Sequence, residues 1–176
     1  MTGTLIPTLE TRRLVLRGPE PEDYPDFKAT FTSYRARFMG GPLNAYEAWM
    51  LYAAEIGHWQ IRGYGFFSLE SKETGEWVGR VGPWCPEGWP GPEVGWTISP
   101  RHLRQGYATE AARASLDFAF NTLGWDSVIH CIMEGNEASI GVARNIGSAY
   151  LRTEQGLPGV CDETILIYGQ DRPARR

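Results

Sequence analysis

The segment Arg104-Gln105-Gly106-Tyr107 feeds directly into the strongest helical period of the chain, and that junction constrains the fold more than any other feature. Over Ala108–Leu123, the residues Ala108, Ala112, Leu116, Ala119 and Leu123 form one apolar face. Glu110, Arg113, Asp117 and Asn121 form the opposite face, where Glu110 is expected to be solvated. The Glu110–Arg113 and Arg113–Asp117 spacings add favourable charge pairs. The start of such a helix exposes unpaired N–H groups and a partial positive charge, which suits a phosphate. Gly106 has no Cβ and lets backbone and ligand approach closely, and Ala108 is nearly as small. Arg104 can add a charge-assisted hydrogen bond. A Gly-x-Ala helix entry is by itself a weak sign, because it occurs wherever a helix needs a tight start.

The rest of the chain supplies the context. Leu14–Arg17 reads as a first strand ended by Gly18-Pro19, and Pro21 opens a helix through about Phe31. Asn44 and Glu47 form a capping pair ahead of a second helix, with Trp49, Tyr52, Ala53 and Ile56 at helical spacing. Gly65–Glu70 and Trp77–Gly82 are strand-like runs around the Ser71–Gly75 turn, the pattern of a β-hairpin. Trp84–Pro92, rich in proline, glycine and tryptophan, reads as irregular; the stretch Pro83–Pro92 is longer than a hairpin needs, so function or an interface is a fair expectation for it. Glu93–Ile98 is a strand whose interior glycine, Gly95, marks a bulge or a close backbone approach. Val128–Met133 reads as a buried strand, Ser139–Ile146 as a short helix, and Ala149–Arg152 and Thr164–Tyr168 as the last strands. An antiparallel hairpin beside a strand–helix–strand unit makes an α/β arrangement.

A chain of 176 residues without repeats or low-complexity linkers is expected to form one domain, with a core over about 10–170 and a basic tail at 172–176. Its net charge of −4 provides no general attraction to nucleic acid, although Arg12-Arg13 and Arg35–Arg37 are local basic clusters. The sequence has no apolar run of spanning length and no secretory signal, so no membrane partner and a cytoplasmic location are expected. Cys85, Cys131 and Cys161 are odd in number and widely spaced, which suggests neither a disulfide framework nor a metal site.

Three motifs together carry a resemblance to the GNAT superfamily of acetyltransferases, and within it to the RimJ/RimL-like branch. Glu10-Thr11-Arg12-Arg13-Leu14-Val15-Leu16-Arg17 looks like the branch's opening, and Gln105–Ala111 like its pyrophosphate motif. Asn136-x-x-Ser139 with Ala143-x-x-x-Gly147 looks like its second cofactor motif. The resemblance runs from about Leu14 to Tyr168 and implies an α/β (α+β) fold, with a mixed, mostly antiparallel central sheet flanked by helices on both faces. It implies acetyl-CoA (coenzyme A) as cosubstrate. On it, Trp96, Thr97 and Ile98 pair with the pantetheine arm as an added strand would. Arg104, Gln105, Gly106, Tyr107, Ala108 and Thr109 hold the pyrophosphate, and Asn136 and Ser139 reach the cofactor near its thioester. A homodimer is compatible with family habit. Two positions depart from the pattern: Leu103 stands where many members have Gln or Arg, and Ala143 where many have a proton-donating Tyr.

The implied activity is acetyl transfer to a primary amine, at a protein N-terminus or on a small molecule, by direct attack in a ternary complex. The amine must be neutral to attack, and with a pKa of about 10.4 it has to lose a proton first. Glu93 is the candidate base because it opens the strand lining the acceptor side; an exposed strand-end carboxylate, a water relay, or Asp162 and Glu163 in the late loop are the competing readings. A backbone N–H at a Gly95–Thr97 bulge could stabilise charge on the thioester oxygen. Ser139 is the candidate donor to the departing thiolate, or a helix N-cap, and Asn136 is a cofactor contact or a turn former. His58 reads as a helix cap or packing residue, His102 as exposed and His130 as a hydrogen-bonded core residue. Cys131 lacks an evident partner for nucleophilic chemistry. Trp84, Trp89 and Trp96 could form an aromatic wall on the acceptor side or simply pack the core. A coenzyme A-binding sensor without turnover is the rival reading. A nucleotide-binding protein is disfavoured by the absence of a Gly-x-x-x-x-Gly-Lys-Ser/Thr loop.

Overall fold

A computed structural model describes residues 5–174; the first four residues and the last two of the basic tail lie outside the described residues. Eight strands form one sheet in the order β1-β2-β3-β4-β5-β6-β8-β7. They are β1 (Leu9–Glu10), β2 (Leu14–Arg17), β3 (Phe67–Ser71), β4 (Trp77–Trp84), β5 (Glu93–Ile98), β6 (Ser127–Met133), β7 (Ala149–Leu157) and β8 (Cys161–Asp171). Four α-helices accompany them: α1 (Tyr24–Phe31), α2 (Ala45–Arg62), α3 (Tyr107–Asp117) and α4 (Glu137–Asn145). All neighbouring strands run antiparallel except β5 and β6, which are parallel and pair only at Glu93↔Ile129.

The largest core lies between the sheet and α3, where Tyr107, Ala111, Ala112 and Leu116 meet Leu14, Leu16, Val78, Val81 and Val94. The small residues Ala111 and Ala112 let the helix axis sit close to the strands. On the α1/α2 side, Phe27, Phe31 and Tyr52 enclose Trp77. α4 covers β6 and β8 through Ile140 and Ala143 against Ile132 and Tyr168. The capping pair ahead of α2 is present, with Asn44 Oδ1 accepting from Glu47 N at 3.0 Å and Glu47 Oε2 accepting from Asn44 N at 2.8 Å.

The structure corrects several sequence expectations. The long helix ends at Asp117 and continues as a π-turn over Phe118–Thr122. The wider turn, closed by Leu123 N donating to Phe118 O at 3.0 Å, buries three consecutive residues, Phe118, Ala119 and Phe120. Pro83 and Trp84 belong to β4 and pair with Val94 and Glu93, so the irregular segment is shorter than expected. β7 and β8 are longer than the sequence suggests; β7 is an exposed sheet edge, and its polar residues carry no hydrophobic alternation to read. No bulge interrupts β5, whose register against β4 is unbroken; the irregularity lies at Leu69/Glu70 of β3. The close approach is instead that of the Phe66 ring, which a Cβ on Gly95, 3.1 Å from Phe66 Cζ, would have to push aside by a few tenths of an ångström.

Candidate active site

The site begins where two strands part. After Glu93↔Ile129, β5 and β6 diverge, leaving the edge of β5 that faces β6 unpaired over the rest of its length. Glu93 sits at the fork, and only 7% of it is exposed. Its Oε1 accepts from Cys131 N at 2.9 Å and its Oε2 from Trp89 Nε1 at 2.6 Å. Burial pushes its carboxyl above the ordinary range, against the lowering effect of these two donors and of Arg80. The carboxylate is therefore buried and held in place, unlike the exposed strand-end group that was its alternative.

On the far side of the fork, Arg104 adopts a left-handed backbone with φ 61° and Gly106, the N-cap of α3, with φ 77°. Helical bonding starts only with Glu110 N to Gly106 O, so the N–H groups of Tyr107, Ala108 and Thr109 have no intrahelical partner. Arg104, Gln105 and Gly106 are exposed, whereas Tyr107 is buried. The loop is braced from the turn that leads into β2. Arg13 Nη1 donates to Gln105 O at 2.8 Å, and its guanidinium lies 4.5 Å from the centroid of the Tyr107 ring. Glu110 completes the brace, accepting from Arg13 Nε at 2.7 Å, Arg13 N at 2.8 Å and Thr11 Oγ1 at 2.7 Å. Glu110 is thus a structural residue, as its sequence position suggests, but it is not solvated.

A groove runs between these two features and is lined by Trp96, Thr97, Ile98, Ala108, Asn136 and Ser139, with Arg35 and Arg37 on its rim. Asn136 caps α4 by accepting from Ser139 N at 3.3 Å, so Asn136, not Ser139, is the N-cap. The Ser139 hydroxyl is left without a bond in the capping motif. The free strand edge, the open amides at the helix entry and the basic rim suit an elongated anionic cofactor with an amide-bearing arm. The groove joins a second cavity behind Glu93, shared through Phe38, Met39, Trp96, Thr97, Asn136 and Ser139.

Residues 13–149 match the family model described as the acetyltransferase (GNAT) domain. The chain belongs to that family. An acetyltransferase of known structure from Agrobacterium tumefaciens is 32% identical to this GNAT domain and superposes with a TM-score of 0.84, over 95% of each chain. RimL bound to coenzyme A shares the fold, with a TM-score of 0.76 over 94% of this chain and 98% of RimL, at 16% identity. Among curated proteins of Bacillus subtilis, the uncharacterized protein YkkB is 42% identical over 96 residues, a stretch covering 52% of this chain and 56% of YkkB. The uncharacterized N-acetyltransferase YoaA is 28% identical over 142 residues, covering 77% and 78% of the two chains.

The structure of the GNAT domain also places residues that the sequence pattern did not single out. Arg80 of β4 lines the cavity behind Glu93, ion-paired with the buried Glu55 of α2 and lying 3.9 Å from the Phe66 ring centroid. Burial pushes Glu55 up to about 7 against the opposing charge and hydrogen bond of Arg80. Glu55 falls on the apolar side of α2, and a lone carboxylate at a core position was the one available signal. His58 is buried, with Nδ1 2.7 Å from Tyr64 O, Nε2 accepting from Cys85 N at 3.3 Å, and its ring stacked 4.3 Å from that of Trp84. It thereby holds the Trp84 wall in position, while Gly63 ends the helix. His130 is a core residue bonded to Val94 O at 2.6 Å and Ser148 Oγ at 2.8 Å. His102 is not exposed as expected: its side chain is only 13% accessible, with Nε2 3.8 Å from Glu76. Burial raises all three cysteine thiols, and Cys131 furthest with Glu93 adding to the effect, so none is poised as a thiolate. Asp162 and Glu163 are exposed and line neither cavity. Among the described residues, no cluster of three metal-ligating side chains occurs and no helix is long and apolar enough to cross a membrane.

Proposed function

We propose that this single GNAT domain transfers an acetyl group from acetyl-coenzyme A to a primary amine, by direct attack within a ternary complex in the cytoplasm. The observation that carries the reading is the fork at Glu93↔Ile129. It leaves a strand edge and a helix entry facing one groove, with a buried carboxylate at the apex. When bound, the thioester supplies the acetyl group and releases a thiolate.

The chain's own residues do the rest. Trp96, Thr97 and Ile98 present backbone to the pantetheine arm. Arg104–Thr109 form the pyrophosphate seat, with Arg13 and Glu110 holding that loop in shape. Glu93 takes the proton from the acceptor ammonium; its raised pKa brings it closer to the working pH of a general base. Ser139 Oγ, unused by the helix cap, gives a proton to the departing sulfur. A β5 backbone N–H on the unpaired edge, rather than at a bulge, faces the developing negative charge.

One observation favours a second reading, a coenzyme A-binding sensor. Ala143, where many relatives carry a tyrosine donor, is fully buried against Ile132 and Tyr168, so no donor acts from there. Thermal shift and thiol release separate the readings. Coenzyme A and acetyl-coenzyme A should stabilise the protein and ATP should not. Free thiol should then appear with an amine; stabilisation without turnover on any amine leaves the sensor. An acceptor at a protein N-terminus, as for RimJ/RimL-like enzymes, and a homodimeric state are tested by the same amine panel and by light scattering.

A further inference from the structure

We propose that the acceptor is a primary monoamine on a compact apolar or aromatic body, and not a polypeptide terminus; this rests on the acetyl-transfer reading of the same site. The cavity behind Glu93 is walled by Phe66, Trp84, Trp89 and Trp96, with Phe38 and Met39 leaning in from the 3-10 turn Tyr34–Met39. Leu157, Val160 and Cys161 of the β7–β8 turn close the opposite side. The two closing segments meet. Gly40, with φ 77°, lies so near the turn that a Cβ on it would fall 2.7 Å from Val160 O. The cavity is therefore bridged, and a polypeptide cannot lie across it.

Its chemistry points the same way. Glu93 and Arg80 are the charged groups lining it, and Arg80 is already answered by Glu55. Glu93, held by two neutral N–H donors and without a direct ion pair, is one buried carboxylate among aromatic faces, a setting that attracts a single ammonium. Of the other polar side chains at its walls, Thr97 and His130 are already engaged, and the free Ser139 hydroxyl and the open β5 edge lie on the side proposed for the cofactor. Thr97 Oγ1 donates to Met39 Sδ at 3.2 Å, and both ring nitrogens of His130 are bonded. Against the aromatic wall away from the cofactor side, a peptide's backbone groups would lose water with few partners to replace it, whereas an aryl or alkyl body would not. The same polar deficit disfavours a polyamine, whose second ammonium would meet no second free carboxylate.

The test uses the intrinsic fluorescence of the full chain, since three tryptophans line the cavity. Phenethylamine should give a saturable change at a concentration about tenfold or more below that needed for its neutral isostere 2-phenylethanol, for spermidine or for trialanine. Glu93→Gln should abolish the preference for the amine over the alcohol. The proposal is overturned if trialanine or spermidine binds as tightly as phenethylamine, if phenethylamine gives no saturable change, or if the amine preference survives in Glu93→Gln. This readout needs neither coenzyme nor turnover. Failure of the acetyl-transfer reading would show separately, as no thermal stabilisation by coenzyme A while the phenethylamine response persists.

Discussion

The Glu93 carboxylate accepts the backbone N–H of Cys131 at 2.9 Å, directly beside the one residue pair at which β5 and β6 are joined. A side chain therefore takes over where main-chain pairing stops. The bond fastens the neck of the fork and fixes the carboxylate inside it.

Because burial raises the Glu93 pKa, Glu93 becomes ionised, and able to serve as the proposed base, only as pH rises above the ordinary carboxylate range. The acid limb of kcat/KM is expected above 4.5, the ordinary value for glutamate, and should disappear in Glu93→Gln. That variant should lose about a hundredfold or more in kcat. A profile identical to that of the wild type would remove Glu93 from the mechanism.

Gly106 is expected to be intolerant of any side chain. An alanine at φ 77° is strained by about 1–2 kcal/mol, although its Cβ would meet nothing closer than Arg13 Nη2 at an ordinary 3.4 Å, so the backbone conformation is the obstacle. Gly106→Glu adds a negative charge at the helix entry and should abolish thermal stabilisation by coenzyme A. Unchanged stabilisation would move the pyrophosphate elsewhere.

Glu110→Ala removes the acceptor for Thr11 and for both Arg13 donors. Urea unfolding should show a loss of about 1–3 kcal/mol. Coenzyme A affinity should fall as well, although Glu110 lines neither cavity. Asp117→Ala, on the exposed face of α3, serves as the control and should stay within about 0.5 kcal/mol.

Ser139→Ala tests the donor. The Asn136 cap uses the backbone N–H of Ser139, which alanine retains, so stability should hold. A fall in kcat of about a hundredfold with little change in KM supports proton donation. A parallel loss of stability and no kinetic effect would leave the hydroxyl a structural role only.

His130 is neutral and fully used. Val94 O can only accept, so Nδ1 carries the proton, and Nε2 accepts from Ser148 Oγ. Burial lowers its pKa from 6.5 to about 4, with the Val94 bond opposing. A depressed folded pKa means that the unfolded chain binds the proton more readily. The stabilisation is therefore complete above 6.5 and is lost as pH falls towards about 4. Denaturation curves across that window should show a decline of about 3 kcal/mol from this group. A ring that titrates near its ordinary pKa by NMR would contradict the assignment.

Much of the site's outline was legible in the chain. The α3 apolar stripe, the α2 capping pair and the bounds of β5 follow from periodicity and turn chemistry, which act between near neighbours. The glycine at the helix entry was legible for the same reason, since a positive φ is a local demand. At Gly95 the structure selects the close approach over the bulge, and Glu110 and His102 are less solvated than local sequence suggests, because in each case a distant partner decides the outcome: the Phe66 ring, the Arg13 guanidinium, and Glu76 beside His102. The Arg80–Glu55 pair escaped notice because nothing local relates a β4 arginine to an α2 carboxylate.

By itself the sequence determined where the chain turns, caps and alternates, and hence a helix whose first amides are left without intrahelical partners. Only the tertiary structure decided which groups meet there. Glu110 and Arg13 are 97 positions apart and Glu93 and Cys131 are 38 apart, so their bonds exist because the strand order sets β5 beside β6 and β2 within reach of α3. Burial finishes the work, because a carboxyl's affinity for its proton depends on the water and charges around it, which chain neighbours alone do not specify.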